Sequence, residues 1–138
     1  MAAEQPSIFT RIIRGEIPCH RVYEDDAVLA FLDINPLAAG HTLVVPKRQV
    51  EYLHELTPDE GAAVGRALVM LAERVMRASG ASGYNILQNN GRVAGQEVPH
   101  VHFHIIPRIE SDGLGFRWRP KPADPDALAM LAAKLRDT

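Results

Sequence analysis

Three histidines, His100, His102 and His104, alternate with Val101, Phe103 and Ile105. A period of two is the pattern of a half-buried β-strand, with the imidazoles on one face and the apolar side chains entering a core. Neighbouring rings would stand roughly 6.5–7 Å apart along such a strand. Half of the six histidines in the chain fall in this segment, and that concentration demands a chemical reason. One candidate is metal ligation through imidazole nitrogens. It fits poorly, because the outer two rings of one strand lie ~13 Å apart. A single cysteine, Cys19, also leaves few soft ligands. The other candidate is phosphoryl or nucleotidyl transfer. A neutral imidazole titrates near pH ~6.5 and keeps a lone pair that attacks phosphorus without a separate base. Flanking imidazoles can fix the tautomer of the attacking ring, donate to phosphate oxygens and protonate a leaving group.

The segment ahead of the histidines is Asn89-Asn90-Gly91-Arg92-Val93-Ala94-Gly95-Gln96. It offers pliable backbone, N–H groups and side-chain amides, the materials of an anion-binding loop. Leading directly into the histidine strand, it is the candidate phosphate cradle.

The elements that must carry these residues are legible from pattern. Ser7 to Gly15 reads as a short amphipathic helix capped by Ser7 and ended by Gly15, with Ile8, Phe9, Ile12 and Ile13 on its apolar side. Three brief strands follow, His20–Glu24, Val28–Asp33 and Gly40–Val45, joined by short turns into an antiparallel meander. Thr57-Pro58-Asp59-Glu60 is a strong helix start, and Val64, Leu68, Leu71, Val75 and Met76 recur at helical spacing towards Gly80. Tyr84–Gln88 makes a fourth strand and His100–Ile106 a fifth. Arg117–Pro125 is Pro-rich and irregular, and a last helix opens at Asp124-Pro125 carrying Leu128, Met130, Leu131 and Leu135. Helices and strands are largely segregated, so the class is α+β.

Composition narrows the function classes. The 138 residues suit a single domain, 1–138, and 46% hydrophobic with 23% charged content is that of an ordinary globular chain. A net charge of −2 gives no field to gather nucleic acid or anionic lipid. No apolar run is long enough to span a bilayer, and Met1-Ala2-Ala3-Glu4-Gln5-Pro6 lacks the pattern of a signal peptide. One cysteine cannot form an internal disulfide, so the expected compartment is the reducing cytoplasm.

Gly95-Gln96-Glu97-Val98-Pro99-His100-Val101-His102-Phe103-His104 resembles the Gly-Gln-x-Val-x-His-x-His-x-His signature of the histidine-triad superfamily. Ser7-Ile8-Phe9, Glu16-Ile17-Pro18, Glu24-Asp25-Asp26, Ala30-Phe31-Leu32-Asp33-Ile34 and Gly40-His41-Thr42-Leu43-Val44-Val45-Pro46-Lys47 follow the order of that family. The resemblance covers about residues 7–108, leaves 109–138 divergent, and is strongest to the Hint-like bacterial branch. It implies a five-stranded antiparallel sheet with a long central helix and short terminal helices. It also implies a nucleotide hydrolase or transferase, a phosphoramidase acting at the α-phosphate of a purine nucleotide, with no cofactor.

By the resemblance His102 is the nucleophile, and His100 and His104 orient it and contact phosphate oxygens. His41 corresponds to a further histidine near the phosphates. Asp33 matches the carboxylate that binds the ribose hydroxyls, while Ile8, Phe9, Phe31 and Ile34 match positions enclosing the base. Asn89, Gln96 and the Gly95 backbone match the phosphate-holding positions, with Val98 beside them. Glu97 replaces a hydroxyl residue thought to assist the leaving group. Some bacterial relatives bind zinc through two N-terminal cysteines; Ser7 and Thr10 stand in that region, so no metal is expected. A homodimer is expected from the resemblance, with Gly61-Ala62-Ala63 and Gly65 available at a helix contact. Two alternatives share the pocket: a dinucleoside polyphosphate hydrolase and a nucleotide-binding module without turnover.

Overall fold

The computed structural model describes residues 5–115 and 118–138. The signal-peptide reading of residues 1–4 and any role of Arg117 lie outside the described residues.

The elements run α1 (Ile8–Ile13), β1 (Arg21–Glu24), β2 (Val28–Leu32), β3 (Thr42–Pro46), α2 (Pro58–Ser79), β4 (Gly83–Gln88), β5 (Phe103–Arg108) and α3 (Pro125–Arg136). The five strands form one antiparallel sheet in the order β1-β2-β3-β5-β4. The fold is α+β, as the sequence predicts. The long connection through α2 delivers β4 to the far edge, and β5 returns between β4 and β3. That return puts the histidine segment in the middle of the sheet.

Helix α2 forms where its first turn predicts. The Thr57 side chain accepts from the Glu60 N–H, the Glu60 carboxylate accepts from the Thr57 N–H, and Pro58 takes a position that needs no donor. Arg48 clamps the same carboxylate with two contacts of 2.8 Å, which holds Glu60 at a pKa of about 2. At the far end Gly80 adopts φ 67°, a left-handed cap that a side chain would resist. The buried stripe is Val64, Ala67, Leu71 and Val75, with Ala63 and Ala72 beside it. The alanines let the helix lie close over Val28, Ala30, Val44 and Ile105 on one face of the sheet.

The opposite face is covered only in part. Phe9 of α1 packs there with Leu29, Phe31, Leu43 and Val45, fringed by Ile12, Ile13, Cys19 and Val98. His104 pairs with Leu43 on β3 and Leu87 on β4. Residues directly opposite share a face, so His104 stands on this open side, away from α2.

Three expectations change. The fifth strand begins at Phe103, not His100. The His100 N–H turns back to the Val98 carbonyl at 2.8 Å, and the Val101 N–H bonds the Val50 carbonyl at 2.8 Å. The segment is thereby tied to the chain beyond β3 instead of joining a ladder. On α1 only Phe9 is fully buried, and Ile8 is about half exposed. Finally, Leu128, Met130, Leu131 and Leu135 of α3 are all exposed, so this helix forms at its predicted place without entering the core.

Candidate active site

The site starts from the β2–β3 connection. The Asp33 N–H bonds the His41 carbonyl at 3.0 Å, which extends the hairpin ladder past both strand ends. The turn Asn35-Pro36 then folds so that the Leu37 N–H reaches His41 Nδ1 at 3.1 Å. A backbone N–H can only donate, so His41 Nδ1 accepts and its proton sits on Nε2. His41 Nε2 lies 2.9 Å from His104 Nδ1. It is the donor of that pair, which leaves His104 with its own proton on Nε2.

The same logic fixes the other two rings. His102 Nδ1 lies 2.7 Å from the His100 carbonyl. A carbonyl only accepts, so Nδ1 carries the proton and His102 Nε2 keeps the lone pair. His100 Nε2 lies 2.8 Å from the Pro46 carbonyl and therefore donates to it. His100 Nδ1 is left as an acceptor, and the Ser7 hydroxyl stands 2.7 Å away. Three backbone groups, Leu37 N–H, His100 C=O and Pro46 C=O, thus set the tautomers of four rings.

Burial favours the neutral form of these rings. His102 titrates below the ordinary imidazole range because it is desolvated, although Asp33 and Glu97 pull the other way. Desolvation lowers His41 as well, opposed by Asp33. His104 is pushed down to about 4 by desolvation, with His102 and His41 adding repulsion. The sign of the stability effect follows. An unfolded histidine takes up its proton near pH ~6.5, before these folded ones do, so stability falls as pH drops below that value. For His104 the decline extends to about 4. Thermal melts between pH 6.5 and 4.5 are expected to show a falling Tm, with a smaller fall in His104→Phe; a flat wild-type Tm would contradict these shifts.

The rings do not form the evenly spaced row expected from one strand. His41, His104 and His102 are consecutive neighbours, with centroids 5.2 Å and 5.0 Å apart. His100 is 0% exposed and sits behind them, edge-on to Phe9 at 5.7 Å. Phe9 also meets His102 edge-on at 4.9 Å. His100 therefore lies beside His102 with no exposed surface to offer a phosphate oxygen, against the contact expected of it. The row is completed instead by His41.

The loop ahead of the triad is held from within. Gln96 Oε1 accepts from the Gly91 N–H at 2.6 Å, and its Nε2 donates to the Glu51 carbonyl at 2.8 Å. The buried Gln96 amide is committed to shaping the loop and is not free to grip a ligand. Gly95 turns at φ 95°, and Asn89 Nδ2 donates weakly to its carbonyl at 3.5 Å. Arg92, Gly95, Gln96 and Glu97 line an open concavity of about 540 Å³. Phe31 lies buried under the site, whereas Ile34 is 77% exposed in the turn after Asp33. Beyond His104, the same face of the sheet continues into an apolar cleft of about 790 Å³ that includes Leu37, Leu87, Ile106 and Trp118. Sequence reasoning missed the Leu37 N–H and the Pro46 carbonyl, because backbone groups carry no residue-type signal.

Metal ligation can be tested on this geometry. Asp33, His41 and His104 bring three possible donor atoms within 4.8 Å of one another. Yet His41 Nε2 bears the hydrogen that the Leu37 N–H forces onto it, and that hydrogen points at His104 Nδ1. Both nitrogens facing the gap are occupied by one shared hydrogen bond, so the donor set does not fit a cation without breaking it.

The chain matches the model of the HIT domain over residues 14–111. The chain belongs to the HIT family. It is 44% identical over 129 residues to an adenosine 5′-monophosphoramidase of Schizosaccharomyces pombe, covering 93% of this chain and 94% of that one. It is also 58% identical over 106 residues to an uncharacterized HIT-like protein of Methanocaldococcus jannaschii, covering 77% and 81%. Among solved structures, a HIT family protein from Bacillus subtilis superposes with a TM-score of 0.91 at 39% identity, covering 96% of both chains. The HIT-domain match takes in both halves of the site, the His41 hairpin and the His100–His104 segment. Among the described residues, no helix is long and apolar enough to cross a membrane.

Proposed function

We propose that this HIT protein is a nucleoside phosphoramidase: it hydrolyses adenosine 5′-phosphoramidates, or related purine nucleotidyl compounds, at the α-phosphorus through a nucleotidyl-His102 intermediate. The observation that carries the reading is the tautomer of His102. Its Nδ1–H is bound to the His100 carbonyl, so the lone pair of the neutral ring is left on Nε2, on a side chain that packs beside His104 and Phe9. The activity of the S. pombe relative is of the same class.

In the first step the Nε2 lone pair forms a bond to phosphorus as the bond to the leaving amine breaks. The amine departs with that electron pair and a proton from solvent. His102 is then cationic, carrying phosphorus on Nε2 and hydrogen on Nδ1. The His100 carbonyl accepts from that Nδ1–H, and Asp33 and Glu97 both favour positive charge on the ring. Glu97 therefore has a use despite its repulsion for phosphate. In the second step water attacks phosphorus, His102 leaves as neutral imidazole, and the water's proton is released. Splitting one displacement into two lets one ring serve as nucleophile and leaving group.

His104 Nε2–H, left outward by the His41 bond, is the donor to the equatorial phosphate oxygens. Asp33 takes the ribose hydroxyls and Phe9, Phe31, Ile8 and Ile34 the base. A two-fold dimer fits the free edge of β4, where Tyr84 and Ile86 are exposed, and the open surface at Gly61 and Gly65.

The deciding assay is turnover of adenosine 5′-phosphoramidate with and without a strong chelator. Equal turnover in both is expected. Loss of activity in chelator would restore the metal reading, and turnover of diadenosine polyphosphate alone would move the substrate class.

A further inference from the structure

The position of His102 depends on a residue outside the triad. The Ser7 hydroxyl is buried, caps α1 by accepting from the Thr10 N–H at 2.9 Å, and lies 2.7 Å from His100 Nδ1. Because His100 Nε2 already donates to the Pro46 carbonyl, Nδ1 needs a donor. The Ser7 O–H meets it at 2.7 Å, closer than its other acceptor, Thr10 Oγ1, at 3.2 Å; Thr10 Oγ1 is 3.4 Å from the same nitrogen, and its own hydrogen goes to Gln49 Oε1 at 2.6 Å. Gln49 Oε1 also accepts from the Ser7 N–H at 2.7 Å, while Gln49 Nε2 donates to the Gln5 carbonyl at 2.9 Å. Gln49 thus fastens both ends of the first turn of α1.

We infer that Ser7, held by Gln49, is a positioning residue for nucleophilic attack: it fixes the His100 ring, and through the His100 carbonyl the tautomer and aim of His102. The inference rests on the proposed role of His102. It adds a line of hydrogen bonds that links α1 to the His102 ring: the Ser7 N–H donates to Gln49, the Ser7 O–H to His100 Nδ1, and the His102 Nδ1–H to the His100 carbonyl. Without the Ser7 hydroxyl, His100 Nδ1 loses its 2.7 Å contact, and the ring relaxes by turning or moving its proton. Either change shifts the peptide carbonyl that holds His102 Nδ1–H. The proposed function assigns no substrate contact to Ser7 itself, so the effect belongs in kcat and not in KM.

The rival account is that Ser7 only caps a helix. Glycine at an N-cap costs just a few tenths of a kcal/mol relative to serine, so Ser7→Gly separates the two. With adenosine 5′-phosphoramidate as substrate, Ser7→Gly is expected to lower kcat about tenfold, the scale of one lost buried hydrogen bond. KM should stay within about twofold, and Ser7→Thr should recover most of the rate. A Ser7→Gly protein with wild-type kcat, or one whose loss lies wholly in KM, would overturn the inference. So would a Ser7→Thr variant as slow as Ser7→Gly. ¹⁵N NMR of the wild-type imidazoles gives a test that needs no variant. His100 is expected as the Nε2–H form and His102 as Nδ1–H; an Nδ1–H His100 would reverse the Ser7 bond and end the case. Absence of wild-type turnover, by contrast, would count against the proposed function and leave the NMR result standing.

Discussion

His102→Asn is expected to lower kcat for adenosine 5′-phosphoramidate by about 10⁴-fold or more, the scale seen when a covalent nucleophile is removed. Asparagine keeps a donor that can still reach the His100 carbonyl but offers no lone pair able to bond phosphorus. The fold should survive, since His102 lies ahead of β5 and the substitution leaves its backbone unchanged. Adenosine monophosphate should still bind, because the proposed base and ribose contacts do not involve His102. Steady-state kinetics with a melting curve and a binding titration check all three points. Turnover near the wild-type rate would mean that another group attacks.

His104→Leu carries the second-largest expected effect, a fall of about 10²–10³-fold in kcat, typical of removing one donor aimed at developing charge. The side chain is close in size to the ring yet cannot donate to an equatorial oxygen. In the proposed mechanism His41 acts on the phosphate only through His104, to which its Nε2–H is directed at 2.9 Å. His41→Leu should therefore cost less, about tenfold, the scale of one buried hydrogen bond. Equal losses in the two variants would give His41 a direct phosphate contact that its tautomer does not provide.

The order of those two effects could not have been read from the chain. His41 and His104 are 63 positions apart, and the contact between their rings comes from β3 pairing beside β5 in one register. What the sequence does carry is strong wherever local chemistry decides. The Thr57-Pro58-Asp59-Glu60 start and the Gly80 stop of α2 are set by capping groups within a few residues, and they form as predicted. The meander β1-β2-β3 is likewise local, joined by turns that Asp25 and Asn35-Pro36 dictate.

The alternation at His100–His104 predicts one strand, and there the periodicity misleads. Both a ladder and an extended loop alternate side chains, and only hydrogen-bond partners tell them apart. Val101 finds its partner in Val50, so the strand starts late and His100 is carried behind the site. Gln96 failed in a similar way. Its amide suits a phosphate or a loop equally well, and the Gly91 N–H and Glu51 carbonyl claim it first. The apolar residues of α3 show the limit of composition, since Leu128 and Leu131 look like core and stay in solvent.

The most direct test is to mix the protein with adenosine 5′-phosphoramidate for a time shorter than one turnover and quench in alkali, which preserves a phosphorus–nitrogen bond to histidine. Mass spectrometry of the intact chain and its peptides should then find one adenylyl group, located on His102 and absent from His102→Asn. An adenylyl group on a different residue, or full turnover under conditions where no adduct ever forms, would contradict the account.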